Sequence, residues 1–336
     1  MHVGSTRVRT LNNNAILQVE DLKVWFPIRR LFRTSLYAKA VDGVSFTLAK
    51  GESLALVGES GCGKTTLGKT CLRLIEPTFG RLVYDGKDIT HMPARDLRWY
   101  RREAQIIYQD PFSSFNPFFT VKRILEEPLM VNGLKNKEER AKLVENALQE
   151  VKLLPIEDFL NKFPHMLSGG QRQRLAIARA LILKPKFIVA DEPVSMLDAS
   201  VRVEILYLLK ELQLNRGISF IYITHDIATV KYFSNRIAIM YSGKIVEMGE
   251  IREVVNSPLH PYTEALIEAI PDPDPNNRNV ERKVIPGEPQ NPTAWPQGCR
   301  FHPRCPYAME VCKTKEPPMN EIKPEHQVAC WLRIKK

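Results

Sequence analysis

The chain has 336 residues, a formal net charge of +10 and a hydrophobic share of 44%, the composition of an ordinary soluble globular protein. That length suffices for one large domain with an appendage, and no run approaches the eighteen apolar residues of a membrane-spanning helix. The N-terminus carries Arg7 and Arg9 without an apolar signal core, so the chain is expected to stay in the cytoplasm. No stripe of alternating basic and aromatic residues marks a nucleic-acid surface, and nucleic acid is not expected as a partner.

In chain order, residues 16–57 predict three strands rich in β-branched and aromatic residues, with a basic insert, PIRRLFRTSLYAK, between the first two. A glycine-rich turn at Gly58–Thr66 precedes a helix over Thr66–Ile75, and strands follow near Arg81–Tyr84 and Ala104–Tyr108. Residues Thr120–Leu183 are mostly helical by spacing, with Leu143, Ala147 and Val151 on one face. Phe187–Ala190 is a short, wholly apolar strand of the buried parallel kind. A helix at Ser200–Leu214 and strands at Ile218–Thr224, Arg236–Tyr241 and Lys244–Met248 complete an alternating α/β core. From Pro261 to Pro296 eight prolines mark an extended linker, and the tail from Gly298 is loop-like and cysteine-rich. The expected division is an α/β core domain over 14–258, with a helical part at about 110–183, and an extension over 259–336.

The turn Gly58-Glu59-Ser60-Gly61-Cys62-Gly63-Lys64-Thr65 fits the phosphate-loop pattern G-x-x-x-x-G-K-S/T between a strand and a helix. Its glycines let backbone N–H groups converge on phosphates, and Thr66 continues into the helix whose dipole adds to them. Lys64 is expected on the β- and γ-phosphates of ATP and Thr65 on Mg²⁺. Cys62, like Cys71, reads as a small filler residue. Asp191 ends the apolar strand, where its carboxylate is the expected partner of Mg²⁺, directly or at one remove. Glu192 follows, placed to polarise the attacking water. Ser168, Gly169, Gly170 and Gln171 open a second long helix, another anion-binding N-terminus. One γ-phosphate cannot use two distant ends of the same chain, so a head-to-tail dimer is expected, this loop capping the partner's nucleotide.

With LSGGQRQRLAIARAL at Leu167–Leu181, FIVADEP at Phe187–Pro193 and ITHD at Ile223–Asp226, the chain resembles the ATP-binding subunit of an ABC transporter over about residues 14–258. The resemblance implies an ABC-type P-loop ATPase core, an antiparallel β part and an inserted helical part. It implies that Gln109 senses Mg²⁺ and the attacking water, that His225 meets the γ-phosphate, and that Ser195–Asp198 crosses between subunits, with Met196 where alanine is commoner. An aromatic on the first strand then stacks on adenine; Phe26 fits best by spacing, and Trp25 is the rival.

The stretches HPYTEALIEAIP, IPGEPQNP and GCRFHPRCPYAMEVC, with QDPFSSFNPFFTV, are similar to the oligopeptide and dipeptide importer branch. That implies a second, related ATPase subunit, two membrane permeases, an external substrate-binding protein and a position on the cytoplasmic face of the cell membrane. A sugar or nickel importer and a non-transport ATPase acting on nucleic acid are the alternatives. Cys299, Cys305, Cys312 and Cys330 are separated by five, six and seventeen residues, wider than paired zinc knuckles. Together with the resemblance this favours a 4Fe–4S cluster over zinc, free thiols or disulfides.

Overall fold

The structure, a computed structural model, describes residues 14–28, 36–270, 287 and 291–334. Arg7, Arg9, residues 29–35 of the basic insert and the linker prolines from Pro271 to Pro289 lie outside the described residues.

Strands β1 (Ala15–Ile28) and β2 (Leu36–Ala49) pair antiparallel. They run longer than the sequence predicts, because Phe26–Ile28 at the start of the basic insert pair with Leu36–Ala38. Strand β3 (Ser53–Val57) is buried at every residue and leads into the glycine-rich turn and α1 (Lys64–Cys71). Strands β4 (Phe79–Tyr84) and β5 (Lys87–Asp88) complete an antiparallel sheet of order β2-β1-β4-β5. Helix α2 (Arg98–Glu103) and strand β6 (Ala104–Ile107) return the chain to a second sheet.

Four helices follow: α3 (Val121–Val131), α4 (Lys137–Glu150), α5 (Glu157–Leu160) and α6 (Gly169–Leu181). Thr120 and Asn136 cap α3 and α4 through their side chains. Val121, Ile124, Leu125 and Leu129 repeat at helical spacing on the buried side of α3. Ala147 and Val151 join the same core, with Leu143 half-buried against it.

The remaining elements alternate: β7 (Phe187–Asp191), α7 (Ala199–Arg216), β8 (Ser219–Thr224), α8 (Ile227–Phe233), β9 (Arg236–Tyr241), β10 (Lys244–Glu250), α9 (Ile251–Asn256) and α10 (Pro261–Glu268). The tail adds α11 (Glu310–Thr314), β11 (Asn320–Lys323) and β12 (His326–Val328). The eight-stranded sheet has the order β11-β12-β10-β9-β3-β8-β7-β6. Its strands β9, β3, β8, β7 and β6 are parallel. The central β3, β7 and β8 are covered on both faces, which is why they read as unbroken apolar runs.

The loop-like tail expected from composition needs correction. Its hairpin β11–β12 pairs antiparallel with β10 and extends the main sheet. An exposed edge strand carries unpaired backbone groups, and β12 satisfies those of β10. The hairpin is fastened by a buried contact: His326 Nε2 lies 2.7 Å from the Glu247 carboxylate, which also accepts from the Leu259 and His260 backbone N–H groups.

Candidate functional site

Strands β3, β6, β7 and β8 end on one side of the main sheet, and the residues just beyond them form one cleft of about 580 Å³. It is lined by Ala40, Ser60, Gly61, Gly63, Lys64, Thr65, Thr66, Gln109, Glu192 and His225. A doubly wound α/β sheet places ligands at this edge.

The glycine-rich turn is built around close approaches. Gly63 caps α1 at φ +106, and a Cβ there would come within 2.1 Å of the Ala40 carbonyl oxygen. At Gly58 a Cβ would meet the Met240 carbonyl at the same distance. Any side chain at either position would push the turn off the sheet edge. Lys64, 5% exposed, folds back on its own loop, donating to the Gly58 and Glu59 carbonyl oxygens at 2.7 and 2.9 Å. Cys62 and Cys71 are buried, and burial raises both thiols, Cys71 to about 12. They are held as neutral filler.

The Thr65 hydroxyl donates to the Asp191 carboxylate at 3.0 Å. Asp191 is buried, and desolvation raises its carboxyl above the usual range, partly offset by the Thr65 hydrogen bond. A buried carboxylate next to a hydroxyl suits a hard divalent cation, which would relieve that desolvation cost, so this pair fits Mg²⁺.

Glu192 follows β7 in the left-handed backbone region, φ 47, uncommon for a residue with a side chain. Its N–H donates to the Ile223 carbonyl, and its own carbonyl accepts from the Ser195 N–H and hydroxyl. Those bonds hold the backbone and aim the carboxylate into the cleft. Gln109 Nε2 donates to one carboxylate oxygen at 3.0 Å, and His225 Nδ1 lies 3.1 Å from the other.

Ser168, Gly169, Gly170 and Gln171 stand elsewhere. Ser168 and Gln171 form a reciprocal capping box at the start of α6. Gly169 lines a second cavity with Gln109, Phe112, Met196 and Leu197. No residue of this helix start lines the cleft. Of the two aromatic candidates, Trp25 is engaged: its Nε1 donates to Asp42, its ring packs edge-on to Phe79, and Lys39 lies over it. Phe26 is exposed and is absent from the cleft lining.

The four tail cysteines are unpaired neighbours. Burial is the main cause pushing the Cys299 and Cys330 thiols up to about 11, and the nearby tail thiols add to it. Among the described residues, however, no three Cys, His, Asp or Glu side chains are arranged to hold a metal ion. As they stand, the four thiols form no closed 4Fe–4S or zinc ligand set. His302 Nδ1 faces the Cys299 carbonyl and His326 faces Glu247.

Three residues at the site were missed by sequence reasoning. Ala40 lines the cleft from β2, Tyr262 accepts from the Glu59 N–H at 2.9 Å, and Arg304 donates to the Glu59 carboxylate. The last two lie 203 and 245 residues from Glu59, and no local pattern signals either contact.

Residues 41–195 match the family model described as ABC transporter, and residues 246–312 match that of the oligopeptide/dipeptide transporter C-terminal region. The chain is 44% identical over 325 residues to the oligopeptide transport ATP-binding protein of Bacillus subtilis, covering 96% of this chain and 98% of that one. It is 47% identical over 292 residues to a Brucella ovis protein named for peptide import and ATP binding, covering 87% and 91%. Among solved structures it is similar to the dimeric ABC transporter cassette MJ0796, with TM-score 0.62 and 29% identity over 70% of this chain and 99% of that one. It is also similar to cbiO1 of Clostridium perfringens, part of an ABC transporter complex, with TM-score 0.63 and 31% identity over 73% and 92%. The fold is that of an ABC ATPase cassette with mixed α/β sheets.

Proposed function

The chain belongs to the ATP-binding subunits of ABC transporters, in the branch carrying the oligopeptide/dipeptide C-terminal region, and from that premise we propose that it hydrolyses ATP to drive peptide uptake through a membrane permease. The observation that carries the catalytic part is the convergence of Lys64, Thr65, Gln109, Glu192 and His225 on one cleft, with Asp191 bonded to Thr65. Lys64 exchanges its bonds to Gly58 and Glu59 for the β- and γ-phosphate oxygens, and the α1 N-terminus and loop amides cradle the rest. Thr65 and Asp191 would hold Mg²⁺, which when bound would supply positive charge against the phosphate oxygens. The Glu192 carboxylate gives up its bonds to Gln109 and His225, orients a water in line with the γ-phosphate and accepts its proton. His225 then faces the γ-phosphate, and Gln109 reports its presence to the loop that follows.

The start of α6 lies outside the cleft of its own chain, which supports a head-to-tail dimer in which Ser168, Gly169, Gly170 and Gln171 close the partner's nucleotide. The partner in this reading is a related ATPase chain, and two permeases with an external binding protein complete the importer. No described helix is long and apolar enough to cross a membrane. In this reading the subunit sits against the permeases at the cytoplasmic face. Phe26 is the adenine-stacking side chain, supported by its exposure and by the engagement of Trp25. The domain division at about residue 258, with the helical part at 110–183, also belongs to this reading.

Ligation of a 4Fe–4S cluster by Cys299, Cys305, Cys312 and Cys330 is supported only by their proximity and free thiols, and it requires the four to converge further. Iron, sulfide and zinc analysis after anaerobic purification tests it; stoichiometric zinc or no metal removes it.

The main reading is tested in the assembled transporter. ATP-dependent peptide accumulation in vesicles should stop when Glu192 is replaced by Gln, and the chain should co-purify with permeases. Peptide uptake that persists in that variant, or purification with nucleic acid instead of permeases, contradicts it.

A further inference from the structure

The tail reaches the phosphate loop from behind. Arg304 sits in the 3₁₀ turn His302–Arg304, one residue before Cys305. Its guanidinium donates from Nη1 to Glu59 Oε2 at 2.8 Å and from Nη2 to Glu59 Oε1 at 3.0 Å. This is a bidentate, charge-assisted fork, the strongest and most orienting form of such a contact. Arg304 is 6% exposed and lies over the Tyr241 ring.

Glu59 is the second residue of the phosphate loop, and each of its polar groups is held. Its N–H donates to the Tyr262 hydroxyl at 2.9 Å, its carbonyl accepts from Lys64, and its carboxylate takes the Arg304 fork. Tyr241, Tyr262 and Phe301 pack against one another behind it, with ring centroids 4.7 to 5.4 Å apart. A second tail residue braces the same loop indirectly. Arg300 bonds the Ser242 carbonyl and Asp42, while the Gly243 N–H donates to the Cys62 carbonyl at 2.9 Å.

We propose that Arg304 is a positioning residue for nucleotide binding, acting through Glu59 to hold the phosphate loop and to cancel a carboxylate charge on the loop that borders a polyanion site. The inference rests on the ATP-site reading above. Two effects act in the same direction. The fork fixes Glu59, whose carbonyl is one of the two oxygens that Lys64 must leave for the phosphates. It also neutralises Glu59, which unpaired would repel the triphosphate. The C-terminal region thereby sets ATP affinity from outside the cassette motifs.

The test measures Mg·ATP dissociation constants for the full chain and its variants, with circular dichroism melting beside them. Arg304→Ala removes the fork and leaves Glu59 unpaired, so affinity should fall about tenfold, a coupling of the size found for contacting residues. Adding Glu59→Gln removes the unpaired charge, and the double variant should recover to within about threefold of the parent. Arg304→Lys keeps the charge without the fork, and its affinity should lie between parent and Arg304→Ala. A purely structural role predicts a lower melting temperature with unchanged affinity in the folded fraction. Unchanged affinity, or equal weakness of Arg304→Ala and the double variant, overturns the proposal. Should Arg304→Ala not fold, Arg304→Lys decides alone: weaker binding supports the proposal and parental affinity ends it. Lys64→Ala serves as the control. If it binds ATP normally, the site assignment fails, whereas a weak Lys64→Ala beside a normal Arg304→Ala removes only this inference.

Discussion

The side-chain amide of Gln109 donates to the Glu192 carboxylate across 3.0 Å, although 83 residues separate them. Strands β6 and β7 are parallel neighbours, with Ile107 opposite Ala190, so the residues just past their ends arrive together. The left-handed backbone at Glu192 turns its side chain toward that meeting point. A loop beginning at Gln109 is thus tied to the carboxylate proposed as the base.

Replacing Glu192 by Gln keeps the shape and removes the basic oxygen. ATP should still bind, while turnover in the assembled transporter falls by roughly 10²–10⁴-fold, the usual contribution of a general base. Phosphate release under saturating ATP checks this; near-parental turnover would reassign the base.

Lys64→Ala should weaken nucleotide binding itself. The buried ammonium is the proposed partner of two phosphates, and its loss costs an interaction with a charged group, about 1.5–3 kcal/mol, or about ten- to a hundredfold in affinity. Titration with Mg·ATP reads this directly, and unaltered affinity would deny the loop its phosphate role.

The aromatics after Gln109 divide into two kinds. Phe112, Phe115, Phe118 and Phe119 fall in one short stretch, and an exposed set of this kind would suit a permease contact, but Phe115 is 7% exposed and part of the core, whereas Phe118 is 85% exposed. Phe119 packs partly against the same core. Phe115→Ala should therefore cost about 3–5 kcal/mol of stability. Phe118→Asp should change stability by less than about 0.5 kcal/mol and uncouple peptide uptake from ATP binding. Urea unfolding and vesicle uptake separate the two; normal uptake with Phe118→Asp would exclude it from the permease contact.

Stability should also depend on pH through His260. Complete burial pushes its imidazole down to about 4, against an opposing effect of Glu247, and Arg333 adds to the lowering. Its Nδ1 accepts from the Tyr262 N–H, which requires the unprotonated nitrogen. Between about pH 6.5 and 4 the unfolded chain binds a proton that the folded chain refuses. Stability is then complete above about 6.5 and falls on acidification, by at most about 1.4 kcal/mol per pH unit from this group. Urea midpoints across that window, compared with His260→Asn, which keeps a capping acceptor, should show the difference in slope. Parallel curves would remove His260 as the cause.

By itself the sequence determined whatever rests on neighbouring residues. Lys64 and Thr65 open α1 directly after the glycines that shape the preceding turn, and the buried strand Phe187–Asp191 delivers Asp191 and Glu192 to its own end, so spacing and apolar runs were enough. Helix α7 was legible too: expected over Ser200–Leu214, it runs over Ala199–Arg216 and ends at Gly217 in the left-handed conformation. The tertiary structure decided what depends on which strands lie side by side. It brought Gln109 and His225 to opposite oxygens of Glu192, and Arg304 to Glu59 from 245 residues away. It buried Phe115 while leaving Phe118 out, and it made strands of a proline- and cysteine-rich tail. The reason is physical. Side-chain periodicity reports one element's own faces, whereas strand order, edge pairing and the partner of a buried charge are settled only when distant segments compete to cover the same backbone and the same carboxylates.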